Sequence, residues 1–410
     1  MSVSLCRFCA TPLRTPFADL GLSPLCQNII PLAKANEPEP FYPLNAQVCH
    51  ECFLVQLDEF VSPSEIFTEY AYFSSYSDTM VAHAKSYVEM ITRRLQLKSN
   101  DLVVEVASND GYLLQHFLPL GIPVTGIEPA RNVGAVASQK GIPVVHEFMG
   151  VATAERFRDE RGEASLLLGN NVLAHVPDIN DFVKGMRLLL RPQGTITMEF
   201  PHLLRLIEGN QFDTIYHEHF SYLSLLAVER IFSAHGLTIF DVEEIPVHGG
   251  TIRIYATHAA NKPPLAPGLL KVRADEAEAG FSTLQAYCDF DARVRKTKNA
   301  LLKKLIELKT AGKTIAGYGA PGKGNTLLNY CGIRTDYLDY TVDRNLYKQG
   351  KLLPGSRIPV YPVEKITETK PDYVLILPWN LTREITGQLA YIREWGGKFI
   401  VPIPTVKIIS

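Results

Sequence analysis

The chain has 410 residues, 46% hydrophobic and 20% charged, with 41 Lys plus Arg against 43 Asp plus Glu. A net charge of −2 gives no global attraction for nucleic acid or an anionic membrane, and the hydrophobic share excludes a disordered chain. The start lacks a charged leader followed by an apolar run, and no stretch is apolar for about 18 residues. A signal peptide and a membrane span are therefore not expected, the predicted location is the cytoplasm, and the length suggests two or three domains.

In chain order, the first feature is a pair of knuckles, Cys6-Arg-Phe-Cys9 and Cys49-His-Glu-Cys52. A two-residue gap lets both thiolates of a tight turn face one ion, and two such turns supply the four soft ligands of a tetrahedral structural zinc. The sequence thus predicts Cys6, Cys9, Cys49 and Cys52 as zinc ligands in a small Pro-rich, metal-stapled domain. The other cysteines, Cys26, Cys288 and Cys331, read as small buried residues in a reducing compartment.

Residues 79–97 repeat apolar positions at helical spacing. Strands and helices then alternate. Strands are expected at 101–106, 123–128, 143–146, 164–169 and 194–200, with helices at 111–117, 133–140 and 180–190. That alternation predicts a parallel, doubly wound sheet, whose ligands lie at the carboxyl ends of its strands. The loop Ala107-Ser-Asn-Asp-Gly111 follows the acid Glu105. It has only one glycine and no phosphate cradle, which suits S-adenosylmethionine (SAM) better than a dinucleotide. Glu105, Ala107, Asn109 and Gly111 are therefore candidate cofactor contacts. So are Glu128, as an acceptor for ribose hydroxyls, and Asn170 and Asn171 at the same sheet edge. The plain alternative is a structural domain with ordinary turns.

Tyr216-His-Glu-His219 packs four protonatable side chains into one stretch. Imidazole titrates near working pH and suits general-base chemistry. The same cluster also fits a hydrogen-bonded structural knot, or a metal pair of His217 and His219. Residues 285–311 read as one long charged helix, and strands follow at 313–319, 337–343, 372–378 and 397–402. ASLLLGNN (164–171) parallels DYVLILPWN (372–380), and GTITMEFP (194–201) parallels GKFIVPIP (397–404), which predicts two related sheets. In GYGAPGKGNT (317–326) the glycines and Lys323 favour an anion such as a diphosphate, or else mark a retained turn.

Taken together, CRFC…CHEC, VVEVASNDGYLL, NNVLAHVPD, YHEHFSYLS and GYGAPGKGNTLLN resemble the nucleotide-linked sugar C-methyltransferases of deoxysugar and branched-chain sugar biosynthesis, over nearly the whole chain. The resemblance implies an α/β fold: a small zinc-binding domain (1–75), a SAM-binding domain (76–260) and a related Rossmann-like domain contacting the nucleotide-sugar (261–410). It implies methyl transfer to a carbon beside a ketone, most often C-3 of a nucleotide-linked 4-keto-6-deoxysugar. It gives His219 as base, Glu218 and Tyr216 as its orienting or substrate-binding partners, His175 as a donor to the enolate oxygen, and Tyr70 as a substrate contact. Tyr72 and Tyr76, and Gly319, Lys323 and Asn325, are further candidate substrate contacts, and His248 is a turn residue without an assigned role. Cys26 departs from the family's small residue in P-L-A-N, with no functional effect expected. A monomer is expected, with no nucleic-acid or membrane partner. Alternatives are a nicotinamide-dependent nucleotide-sugar oxidoreductase or epimerase, an O- or N-methyltransferase, and a zinc-bearing binding protein.

Overall fold

The computed structural model describes residues 4–67, 73–247 and 249–410. Two compact units emerge, each assembled from separated stretches: Met1–Leu13, Cys49–Leu203 and Phe220–Thr283 form the first, and Arg14–Val48, Leu204–His219 and Leu284–Ser410 the second.

The first unit is built on a seven-stranded sheet. Its strands are β1 (Val103–Val106), β2 (Val124–Ile127), β3 (Val144–Val145), β4 (Ala164–Asn170), β5 (Leu190–Pro201), β6 (Leu237–Ile245) and β7 (Thr251–His258), in the order β6-β7-β5-β4-β1-β2-β3. β1 to β5 pair in parallel, whereas β7 runs antiparallel to β5 and to β6. The antiparallel pair lies outside the pattern expected from strand–helix alternation. Its signal was Gly249-Gly250 between two β-branched runs, since antiparallel neighbours need only a short connection. β1 and β2 are buried at every position, as a sheet covered on both faces requires.

Helices α1 (Asp78–Leu95), α2 (Arg131–Gln139), α3 (Val151–Arg161) and α4 (Ile179–Leu189) belong to this unit. Ser77 caps α1 by accepting from the Met80 N–H, and Ala84, Tyr87, Val88 and Ile91 form its buried stripe. The helix expected at 111–117 is instead two short 3-10 turns, Leu114–His116 and Leu118–Leu120. Pro119 has no N–H to extend an α-helix, and seven residues are too few to offset the cost of nucleation.

The second unit carries β8 (Ile315–Tyr318), β9 (Thr341–Val342), β10 (Pro359–Tyr361), β11 (Tyr373–Ile376), β12 (Lys398–Val401) and β13 (Lys407–Ile409), ordered β13-β12-β11-β8-β9-β10 and continued by Lys351–Leu352 and Ile30–Pro31. β8 to β12 pair in parallel and β13 is antiparallel to β12. This repeats the order of the first sheet strand for strand, with β12, β11, β8, β9 and β10 standing where β5, β4, β1, β2 and β3 stand.

The duplication extends to hydrogen bonds. Glu128, just past β2, accepts from the N–H groups of Asn109 and Ala130 at 2.9 Å each. Asp343, just past β9, accepts from those of Ala320 (2.7 Å) and Asn345 (2.8 Å). In each sheet a carboxylate ties the loop after the first strand to its own turn.

The long helix expected at 285–311 is broken at Asp289 into Gln285–Cys288 and α5 (Phe290–Thr310). The break places Tyr287 and Phe290 against Phe17, the latter stacked at 4.6 Å. Phe17 lies in the strand Thr15–Ser23, which pairs antiparallel with Tyr42–Val48. Of the three unpaired cysteines, Cys26 and Cys331 are buried as expected, but Cys288 is exposed and its thiol donates to the Leu284 carbonyl, 3.2 Å away. The short segment it sits on presents Tyr287 rather than Cys288 to the core.

Candidate functional site

The four knuckle cysteines meet in the first unit, with all four Sγ atoms within 4.8 Å of one another. Cys6 to Cys52 and Cys9 to Cys49 are both 3.5 Å. A tetrahedron of Zn–S bonds near 2.3 Å needs sulfurs about 3.8 Å apart, so the donor set and its size fit zinc. Each knuckle closes in the same way. Ala10 N–H reaches the Cys6 carbonyl and Phe53 N–H the Cys49 carbonyl, and both Ala10 and Phe53 adopt positive φ. Gln56 donates to Cys6 Sγ at 3.2 Å while its own oxygen accepts from the Arg7 N–H, so the outer shell is fixed as well. Cys6, Cys49 and Cys52 belong to the core that includes Val104 and Val106 of β1.

The cofactor candidates gather at the carboxyl end of β1. Ala107 and Asn109 are non-glycine residues at φ of 57° and 51°, an uncommon backbone state held by the surrounding structure. Gly111 has a positive φ, and a Cβ there would lie 2.4 Å from Ile142, so only glycine fits. Glu105 Oε2, Ser108 Oγ and Asp110 Oδ1 are buried polar atoms without a hydrogen-bond partner among the described residues. Burial, reinforced by Glu128, Asp110 and Glu199, pushes the Glu105 carboxyl well above the usual range. Such a mouth of carboxylates suits a ligand carrying an ammonium and a sulfonium, and it opposes a pyrophosphate.

Not every candidate offers its side chain to this mouth. Asn109 Oδ1 accepts from the Ser74 N–H at 3.0 Å, and Asn170 Nδ2 reaches the Tyr112 hydroxyl at 3.5 Å. Glu128 already accepts two N–H bonds, leaving one further lone pair on each oxygen for a ribose. Asn171 Oδ1 has no partner among the described residues. Sequence reasoning missed Glu199 on β5, which neighbours Asn170 in register and binds His83 at 3.0 Å and Arg253 at 2.8 Å. An acid inside the apolar run ITMEFP was the available signal.

In the second unit Tyr216 and His219 are half-buried, whereas His217 and Glu218 are buried. His219 Nδ1 lies 2.9 Å from the Thr214 carbonyl. A carbonyl only accepts, so Nδ1 carries the proton and Nε2 carries the basic lone pair. The Tyr216 ring stands 4.1 Å from the imidazole. His217 Nε2 donates to the Pro43 carbonyl, and burial holds its pKa below the usual histidine value. Neither His217 nor His219 belongs to a metal-ligand cluster among the described residues. Burial raises the Glu218 carboxyl to about 7 against the pull of Cys26 and Lys348.

Gly319 closes β8 with its N–H on the Val342 carbonyl. Lys323 donates to Asn380 Oδ1 at 3.0 Å and lies over Trp379. Trp379 Nε1 donates to Asp213 at 2.7 Å, and Asp213 is raised to about 6 by burial against the opposing charge of Lys323. An anion at this loop therefore competes with internal partners. Asn325 Nδ2 donates to the Cys26 carbonyl. His175 ends the turn Leu173–His175 after β4 in the first unit. Tyr76 is 77% exposed and stacks on Phe73. Tyr70, Tyr72 and His248 lie outside the described residues.

Three domain families match the chain: a zinc binding domain over residues 6–67, a methyltransferase domain over 80–242 and the C-methyltransferase C-terminal domain over 246–404. C-methyltransferase NovU of Streptomyces niveus is 36% identical over 405 residues, 99% of this chain and 96% of the relative. The chain belongs to the C-methyltransferase family. A ubiquinone biosynthesis O-methyltransferase of Bartonella bacilliformis is 26% identical over 96 residues, 22% of this chain and 38% of its own. A solved SAM-dependent methyltransferase of Clostridium acetobutylicum is 12% identical with a TM-score of 0.35, covering 42% of this chain and 90% of its own.

This C-methyltransferase is accordingly a SAM-dependent enzyme with an N-terminal zinc-binding cysteine cluster and a Rossmann-like methyltransferase fold. Among the described residues, no helix is long and apolar enough to cross a membrane.

With Glu105 as a SAM contact, the expectation from its sequence, SAM binding is expected to depend on pH. A cation at Glu105 would favour the ionised carboxyl, whose pKa burial and its acidic neighbours raise. Binding therefore releases a proton, and affinity climbs as pH rises from the ordinary carboxylate value toward the raised one, by up to about tenfold per unit for one proton. Calorimetry in buffers of different ionisation enthalpy reads this directly. Glu105→Gln is expected to flatten the dependence, weaken SAM and raise Tm. A flat profile in the wild type would remove Glu105 from the cofactor site.

Proposed function

We propose that this enzyme methylates the carbon alpha to the ketone, C-3, of a nucleotide-linked 4-keto-6-deoxysugar through an enolate. The observation that carries this reading is the imidazole of His219, whose tautomer is set by the Thr214 carbonyl. An enolate requires a base beside the C–H bond, and the tautomer with its proton on Nδ1 offers the Nε2 lone pair for that part.

His219 Nε2 takes the alpha proton, and the C–H electron pair becomes the enolate. Bound SAM supplies an electrophilic methyl on a sulfonium that departs as a thioether. The nucleophilic electron pair goes from the enolate carbon to that methyl, and the proton on His219 returns to solvent. Tyr216 packs its ring against the imidazole, 4.1 Å away. Glu218, with a carboxyl near 7, holds or yields a proton at working pH. We assign His175 the donor to the enolate oxygen, a role worth roughly 3 kcal/mol by analogy with oxyanion-hole donors. The zinc-bearing knuckles stabilise rather than react, since four thiolates fill the coordination shell. Glu105, Asn109, Gly111, Glu128, Asn170 and Asn171 are proposed to surround SAM, and Gly319, Lys323 and Asn325 the nucleotide.

The test is incubation with SAM and a nucleotide-linked 4-keto-6-deoxysugar in deuterated water. One added methyl on carbon, with deuterium entering the alpha position when SAM is withheld, is expected. Methyl on oxygen, or no exchange at the alpha carbon across a panel of such sugars, would overturn the reading. The protein is also proposed to act as a cytoplasmic monomer, which a sedimentation measurement checks for the oligomeric state.

A further inference from the structure

Cys26 was expected to have no functional effect, yet the fold brings it beside Glu218, 192 positions further along the chain. Its Sγ lies 3.7 Å from Glu218 Oε1, and the two residues are 2% and 4% exposed. A carboxylate oxygen accepts, so the thiol is the donor. The thiol is itself clamped from behind. Its carbonyl accepts from Asn325 Nδ2 at 2.6 Å, on helix α6 (Gly322–Cys331), and a Cβ at Gly322 would lie 2.9 Å from Sγ. Lys348 donates to the Ala320 carbonyl of the glycine-rich loop at 2.7 Å while its charge acts on both Cys26 and Glu218.

We propose that Cys26 is a positioning residue that holds the Glu218 carboxyl through an S–H···O hydrogen bond and thereby links the Tyr216–His219 segment to the glycine-rich loop at 317–326. A buried carboxyl with no donor would be free to choose between rotamers and would be costly to ionise. The thiol stays protonated, because burial and the adjacent Glu218 raise its pKa well above the usual value. Among the described residues, the ionisable groups acting on Glu218 are the Cys26 thiol and the Lys348 ammonium. Its chain neighbours His217 and His219 are engaged with the carbonyls of Pro43 and Thr214.

The functional consequence rests on the enolate reading above, whereas the hydrogen bond does not. Two measurements on the full-length, zinc-loaded enzyme separate them. In the infrared, the S–H stretching band lost in Cys26→Ala identifies this thiol. That band is expected to shift in Glu218→Gln, because a neutral amide is a weaker acceptor than a carboxylate. In the pH profile of alpha-proton exchange, Cys26→Ala removes a donor to the ionised carboxyl. The limb governed by Glu218 is then expected to move to higher pH by about half a unit, and Cys26→Ser to restore it. A residue that merely filled space would lower Tm and leave both signals in place.

An S–H band unmoved by Glu218→Gln would overturn the hydrogen bond. A shifted band with superimposable pH profiles would overturn the positioning role. Absence of exchange in the wild type would sink the enolate reading instead, and the infrared band would still decide the contact.

Discussion

Replacing His219 with asparagine is expected to abolish deuterium exchange at the alpha carbon and to lower kcat by about 10²–10⁴-fold, the usual span for a general base. SAM affinity, read by calorimetry, stays where it is. Asparagine keeps an N–H that can reach the Thr214 carbonyl, which now holds Nδ1 at 2.9 Å. The substitution therefore removes the basic lone pair of Nε2 with the least change to the surrounding loop. The companion change His217→Asn separates base from scaffold. His217 is 5% exposed, donates to the Pro43 carbonyl and packs edge-on against Tyr42. Its loss is expected to appear in Tm and not in the exchange rate. Exchange that survives in His219→Asn would take this residue out of the base role.

Removing the zinc is expected to have the largest effect on stability. Binding of structural zinc by thiolates is worth about 10–16 kcal/mol in small zinc-finger peptides near neutral pH, comparable with the whole stability of a domain. In this chain Cys6, Cys49 and Cys52 are buried in the same apolar cluster as Val104, Val106 and Ile127, so the metal fastens the wall of the sheet whose loop is proposed to hold SAM. Cys49→Ser, or a strong chelator, is expected to release one equivalent of zinc and lower Tm by more than 10 °C, roughly the shift expected from several kcal/mol. SAM affinity should fall with the sheet that supports it. An unchanged melting curve after complete zinc loss would show that the knuckles fold without their ion.

These two effects act at different levels. The zinc site stores stability in a closed shell and offers no open position, so its ligands are exchangeable for nothing but other ligands. The carboxylate mouth works the opposite way: Glu105, Ser108 and Asp110 leave buried polar atoms without partners among the described residues. Buried polar atoms without partners cost stability, and a cationic ligand at the proposed SAM site is expected to recover part of it. The contrast explains why Glu105→Gln is expected to raise Tm while Cys49→Ser lowers it.

Much of this was legible in the residues. Two Cys-x-x-Cys turns bring their own sulfurs together through local backbone geometry, whatever lies between them. Strand–helix alternation forecast both sheets, and the likeness of ASLLLGNN to DYVLILPWN reappears as β4 and β11, which hold equivalent places in two sheets of the same order. The acid after the second strand was recognised at Glu128, although its first partners turned out to be backbone N–H groups. Local chemistry and periodicity encode such features because the residues that decide them are neighbours in the chain.

Tertiary structure decided the partnerships. It gave His219 the Thr214 carbonyl as an anchor, set Cys26 against Glu218, balanced Lys323 with Asp213, and placed His83 and Arg253 on Glu199. It also turned the expected all-parallel sheet into a mixed one and left Cys288 at the surface. Each of these depends on contacts between segments tens to hundreds of residues apart, where many pairings satisfy the same polar groups and only the packed topology selects one of them.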